Sequence, residues 1–180
     1  MRCANDGHPN WIHELKHDGF RGGCTSIVSR PGWCRARGRN FISFKQVLRS
    51  LKGQRVILDG EIVVLDEKGR SNFFDPMIRR GEPRDYAFDL LWLNGRDLRS
   101  EPLRERERRL HRAAHPLYVD HLEGDGARFF ELACEQDLEG IICKPRTSRY
   151  PFTWIKVKNP NCSQAIGRRE MLIACWRNET

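Results

Sequence analysis

The sequence predicts an α+β fold of antiparallel sheets flanked by helices. Two observations carry that expectation: short β-branched and apolar runs outnumber stretches of helical spacing, and the runs do not alternate one for one with helices as a βαβ chain would. At 180 residues, 39% hydrophobic and 31% charged, the chain can fill one real core but not two full domains. No internal repeat or low-complexity linker divides it.

Trp11 to Lys16 reads as a short strand that ends in the turn Lys16-His17-Asp18-Gly19. Phe44, Val47, Leu48 and Leu51 have helical spacing behind a possible Ser43 N-cap. Arg55 to Asp66 is β-branched and apolar around Gly60, which predicts a buried strand with a bulge or close backbone approach at the glycine. Tyr86 to Leu93 is a further strand. Glu101 to Arg112 carries opposite charges three and four apart with only Leu103 and Leu110 apolar, the pattern of an exposed helix whose arginines either touch DNA or form a solvated face. Leu117 to Leu122 reads as a strand, Ala127 to Leu138 as a helix, and Glu139 to Lys144 and Thr153 to Lys158 as two more strands.

Composition excludes several classes. No apolar run approaches the roughly 20 residues of a membrane helix, and Met1 to Asp6 lack a signal-peptide core, so a soluble protein without membrane partners is expected. Cys3, Cys24, Cys34, Cys134, Cys143, Cys162 and Cys175 form no Cys-x-x-Cys pair, and His111 and His115 lack the glutamate of a His-Glu-x-x-His helix. Reduced thiols and no Cys/His metal site follow. The net charge of +8 is uneven: residues 1–58 hold 11 Lys/Arg against 3 Asp/Glu, residues 59–140 hold 13 against 19, and residues 141–180 hold 8 against 2. Basic ends suit a polyanion or a nucleotide's phosphates, and an ordinary solvated excess accounts for them equally well.

Several polar residues sit where a purely structural strand would be apolar. Lys16 closes the first strand, with Arg21 just beyond. Alternation along Val56 to Leu65 puts Asp59 and Glu61 on one face, and alternation along Thr153 to Lys158 puts Trp154, Lys156 and Lys158 on another. An edge strand with a solvated side explains those two lysines as well. Glu139 and Lys144 flank an apolar strand. Separated lysines and carboxylates on strands suit a nucleoside triphosphate with a hard divalent metal, since lysines neutralise phosphate oxygens and carboxylates hold Mg²⁺ or ribose hydroxyls. Phe88 is either a core residue or a stacking face for a base.

The order and wording of these motifs resemble the nucleotidyltransferase (adenylation) domain of ATP-dependent DNA ligases of the bacterial end-joining type. Glu14-Leu15-Lys16-His17-Asp18-Gly19-Phe20-Arg21 is similar to the family's first motif, Leu58-Asp59-Gly60-Glu61-Ile62-Val63 to the third, and Tyr86-Ala87-Phe88-Asp89-Leu90-Leu91 to the aromatic motif after it. Glu139 to Lys144 and Trp154 to Asn159 resemble the fourth and fifth. The resemblance implies the nucleotidyltransferase (ATP-grasp-like) fold, ATP with Mg²⁺ or Mn²⁺ as cofactors, and Lys16 as the nucleophile that becomes a lysyl-adenylate. It further implies that Glu14 contacts the adenine amino group, Arg21 the ribose and nick phosphate, Glu61 the ribose, Phe88 the adenine face, Lys156 and Lys158 the α-phosphate, and Glu139 the metal. The partner it implies is nicked or broken DNA, in the bacterial cytoplasm at the nucleoid.

The chain also departs from the family pattern. The interval from Lys144 to Trp154 is short and keeps only Arg146 and Arg149, and the arginine signature fits either Ser29-Arg30-Pro31-Gly32 or Arg35 to Gly38. Residues 1–160 read as the adenylation domain and 161–180 as a tail without an OB-fold domain, which a partner polypeptide could supply. Self-adenylation is therefore expected ahead of complete nick sealing. The alternatives are a noncatalytic nucleotide- or nick-binding remnant, and RNA joining or capping chemistry, which shares Lys-x-Asp-Gly.

Overall fold

The computed structural model describes residues 9–26, 34–36, 39–41, 55–71, 81–114 and 118–164. In chain order these residues form β1 (Trp11–Leu15), β2 (Phe20–Ser26), β3 (Cys34–Ala36), β4 (Arg39–Phe41), β5 (Val56–Val64), β6 (Pro83–Leu93), β7 (Arg96–Asp97), α1 (Leu103–Ala114), β8 (His121–Glu123), α2 (Gly126–Glu135), β9 (Gly140–Pro145) and β10 (Ile155–Lys158). Two sheets result, a four-stranded one in the order β10-β9-β1-β8 and a six-stranded one in the order β4-β3-β2-β5-β6-β7. Every pair of neighbouring strands is antiparallel. The α+β expectation holds.

Strand β5 is the spine of the larger sheet. Val56, Leu58 and Ile62 are buried and pack with Ala87 and Leu90 of β6 and with Leu98 and Leu110, so α1 covers this core. Burial of each such side chain contributes about 1.5–3 kcal/mol. The register against β6 slips between Ile57 and Leu58 and again between Asp59 and Gly60, with the extra residues, Leu91 and Phe88, on β6. The irregularity expected at Gly60 falls opposite the glycine and not in β5, which pairs with β2 without a slip. A second core, of Ala133, Ile141, Cys143 and Val157, lies under α2. The third cluster joins the sheets: Phe88 of β6 packs with Val119 and Trp154, and Ile142 of β9 leans on it.

Helix α1 departs from the exposed helix expected of its sequence. Leu103, Arg106, Glu107 and Leu110 form its inward stripe, and Arg106 and Glu107 are 1% and 3% exposed. Arg106 lies in the core because Asp89 of β6 receives it bidentately, Nε to Oδ1 at 2.7 Å and Nη2 to Oδ2 at 2.8 Å, while its Nη1 reaches Ser148 O at 3.2 Å. A charge pattern alone hides such a stripe, since a paired arginine reads like a solvated one. Arg104, Arg108 and Arg112 do face solvent.

Smaller differences are local. The expected strand Leu117 to Leu122 shrinks to a lone bridge from Tyr118 to Ala87 followed by β8, starting at His121. Helix α2 starts one residue earlier than expected, with Asp125 accepting from Arg128 N as N-cap, and stops at Glu135 before the left-handed Asp137. Strands β2, β3, β4 and β7 had no sequence expectation. The helix expected around Phe44 to Leu51 and the signature Ser29 to Gly32 lie outside the described residues, as does most of the tail. Among the described residues no helix is long and apolar enough to cross a membrane.

Candidate active site between the two sheets

Register alone aligns most of the predicted residues. Glu14 of β1 stands opposite Ile142 of β9, which stands opposite Lys156 of β10. One row on, Lys16 N donates to Gly140 O at 2.9 Å and Gly140 pairs with Lys158. Directly opposed residues share a face, so Glu14, Lys16, Lys156 and Lys158 lie on the face that carries Ile142 toward Phe88.

Around Lys16 the groups are ionic. Its Nζ lies 2.6 Å from Glu139 Oε2 with both side chains largely buried, and Lys158 Nζ lies 4.0 Å from Glu139 Oε1. Glu61 completes the group: its carboxyl is pushed up to about 7, first by burial, with Lys16 opposing and Glu139 reinforcing the shift. His17 stacks on Tyr86 with ring centroids 5.0 Å apart, and burial with the nearby Lys16 charge lowers it to about 4, so it is neutral near pH 7.

Glycine makes the close approach possible. A Cβ on Gly19 would stand 2.2 Å from Ile62 O, so only glycine lets the turn after Lys16 press onto β5. Gly140 has φ +136, and a Cβ there would meet Val157 O at 2.0 Å. It binds β10 tightly against β9 beside Glu139. Ser71 receives Asp18 N at 2.7 Å. A cavity of about 370 Å³ opens beside Lys16, lined also by His17, Lys68, Arg70 and Ser71.

Two residues along the strand the surroundings turn aromatic. Lys144 ion-pairs with the fully buried Glu14, donates to Phe88 O at 3.3 Å, and sits 4.2 Å from the Trp154 ring centroid and 5.0 Å from that of Phe88. Phe88 and Trp154 meet edge to face at 5.3 Å. Arg21 reaches over both rings, at 5.8 and 5.5 Å, while Asp59 fixes its guanidinium through contacts of 2.7 and 3.2 Å and Tyr150 donates to the same carboxylate at 3.4 Å.

The structure thus brings Lys16, Glu61, Glu139 and Lys158 into one ionic group, and Glu14, Arg21 and Phe88 into an adjoining aromatic one. Lys156 occupies its row on the same face with an exposed side chain that forms no ion pair with a described residue. Sequence reasoning counted Lys144 and Asp59 among the charged candidates without giving either an individual role, and gave none to Trp154 or Tyr150. Lys144 and Asp59 had a usable signal as charges on apolar strands, whereas nothing in the sequence joins Tyr150 to Asp59 across 91 positions.

Among the described residues no three His, Cys, Asp or Glu side chains form a cluster that could hold a metal ion. A Mg²⁺ site made of one carboxylate and substrate phosphates would not form such a cluster. Glu139 is the carboxylate to which the resemblance gives the metal.

The profile of the ATP dependent DNA ligase domain matches residues 3–158. The chain belongs to the ATP-dependent DNA ligase family. It is 32% identical over 183 residues to the multifunctional non-homologous end joining DNA repair protein LigD of Mycobacterium tuberculosis H37Rv, covering 93% of this chain and 23% of that protein. Identity to the LigD of Pseudomonas aeruginosa is 37% over 174 residues, covering 82% and 20%. The crystal structure of the ligase domain of M. tuberculosis LigD superposes with a TM-score of 0.73 at 32% identity, over 84% of this chain and 56% of that one. A mycobacterial DNA ligase D complexed with ATP and MES gives 0.74 at 31%, over 85% and 56%. The two sheets are therefore those of the ligase nucleotidyltransferase fold. The chain spans under a quarter of these LigD proteins and a little over half of their ligase domains.

Proposed function

We propose that this ligase-family chain is an ATP-dependent adenylyltransferase, with Lys16 as nucleophile and nicked or broken DNA as the eventual acceptor. The observation that carries the reading is the 2.6 Å contact between Lys16 and Glu139 at the junction of the two sheets, with Glu61 and Lys158 around it. Only a neutral amine attacks phosphorus, and a free lysine, with a pKa of about 10.4, is protonated in all but roughly one part in a thousand near pH 7.4. Lys156 and Lys158, from the same strand face, offset the charge of the α-phosphate.

In the proposed reaction the Lys16 amine forms a phosphoramidate bond to the α-phosphorus as the bond to pyrophosphate breaks, and the amine proton leaves to solvent. A divalent metal held by Glu139 would neutralise phosphate oxygens and ease departure of pyrophosphate. Phe88 offers a ring to adenine, Glu14 a carboxylate to its amino group, Glu61 an acceptor to the ribose, and Arg21 a partly exposed cation to ribose or nick phosphate. In the later steps the adenylate passes to a DNA 5′-phosphate, and attack by a 3′-hydroxyl joins the strands and releases AMP. Such a protein works at the bacterial nucleoid.

The test is incubation with α-labelled ATP and Mg²⁺ or Mn²⁺, followed by a denaturing gel. A labelled band from the wild-type chain that vanishes in Lys16→Arg is expected, because arginine keeps the charge but cannot become a neutral nucleophile. A band that survives the substitution, or its absence from the wild-type protein, refutes the reading.

A further inference from the structure

Helix α1 places a second carboxyl behind Glu14. Glu107 is 3% exposed, and its carboxyl shares a hydrogen bond with that of Glu14. No donor among the described residues reaches Glu107 Oε1. The groups facing Glu107 are Glu14 from β1, Lys144 from β9, Asp89 from β6, and Tyr118 and His121 from the segment entering β8. Asp89 is already paired with Arg106, and His121 Nδ1, which also meets the Tyr118 hydroxyl, stands 3.7 Å from Glu107 Oε2. Beyond them lies a cavity of about 330 Å³ lined by Tyr118, His121, Arg108 and Glu107 itself.

The charges do not balance if both glutamates ionise. Two touching buried carboxyls share a single ammonium, that of Lys144, so one of them keeps its proton. Burial raises Glu14 as well, but the Lys144 ammonium and the hydrogen bond with Glu107 oppose that rise and place the negative charge on Glu14. The oxygen of Glu107 without a donor among the described residues suits a neutral acid. Burial, reinforced by the Glu14 charge, pushes Glu107 up to about 9. Burial also raises Tyr118 and lowers His121, so neither titrates in that range.

We propose that Glu107 is a positioning residue: as a neutral carboxylic acid it donates to the Glu14 carboxylate and, together with Lys144, holds that carboxylate ionised and oriented to accept the amino group of the base. The inference rests on the reading of Glu14 as the base contact. It makes ATP affinity, and not the transfer step, sensitive to ionisation of Glu107. A glutamine at this position keeps a donor and cannot ionise.

The experiment has two readouts on the full chain. Infrared spectra of wild type and Glu107→Gln should show a buried protonated-carboxyl band in the wild type that fades as pH rises through about 9 and is missing from the variant. Single-turnover labelling at varied ATP between pH 7 and 10 should show the wild-type KM rising about tenfold per pH unit above that point, while the KM of Glu107→Gln stays flat and the rate constants of the two change together. A wild type without the band, or KM profiles that coincide, overturns the proposal. A wild type that shows the band but forms no adduct overturns the adenylation reading and the positioning role with it; an adduct whose KM ignores Glu107 removes the positioning role alone.

Discussion

Lys16 Nζ rests 2.6 Å from Glu139 Oε2, with 14% of the lysine side chain and 6% of the glutamate exposed. The contact couples the proposed nucleophile to the proposed metal ligand. As the proposed metal ligand, Glu139 would hold a divalent cation through the same carboxylate that pairs with Lys16, so one residue is given two partners.

Glu139→Gln should therefore cut adduct formation by at least about a hundredfold at saturating metal, the loss expected when transition-state charge stabilisation of roughly 3 kcal/mol is removed. Single-turnover labelling across a metal titration checks it. A variant with wild-type rate and metal dependence would remove Glu139 from the site.

Glu61 sets a pH dependence of stability whose sign follows from burial. Its carboxyl is raised from 4.5 to about 7, so between those values the folded state holds a proton that the unfolded chain has released. Folding is then favoured at the acid side and loses stability as pH rises through that window. Glu61→Gln should flatten this decline and raise the urea midpoint at pH 8 more than at pH 5. Equal shifts at both pH values would contradict a half-buried Glu61 that holds its proton.

Gly140→Ala is expected to damage fold and site together. The residue has φ +136 and a Cβ would fall 2.0 Å from Val157 O, so β10 must move away from β9, taking Lys158 from Glu139. Loss of several kcal/mol and of the labelled adduct should coincide. Thermal unfolding and labelling of the same preparation test the link, and a variant with wild-type melting would show that β10 does not lie this close.

Much of this was legible in the sequence because strand alternation and motif spacing are local properties. Alternation placed Glu61 and Asp59 on an otherwise apolar strand and Lys156 and Lys158 on one face, and β5 and β10 follow it. Pairings across long separations were not legible: Glu14 meets Lys144 from 130 positions away, and Lys16 meets Glu139 from 123. Strand β2 was hidden by Gly22 and Gly23, weak strand formers, whose register opposite Gly60 and Asp59 is set by β5. The inward stripe of α1 was invisible because Arg106 and Glu107 look like surface residues until Asp89 and Glu14 are seen to receive them.

The Arg106–Asp89 pair should be costly to break and cheap to replace. Its side chains are 1% and 0% exposed, and removing the cation leaves the Asp89 carboxyl in the core with Leu90 N, at 2.8 Å, as its remaining hydrogen-bond donor among the described residues. Arg106→Met should lose about 3–5 kcal/mol, an effect of that kind on a buried pair, which at a urea slope of about 2 kcal/mol per molar lowers the midpoint by roughly 2 M. Adding Asp89→Leu removes the stranded carboxylate and should recover more than half of the loss, because two apolar side chains need no partner. The double-mutant cycle therefore reports strong coupling. Additive losses, each single variant costing the same with or without the other, would mean that the two side chains do not hold one another and that α1 is anchored on β6 by Leu103 and Leu110 alone.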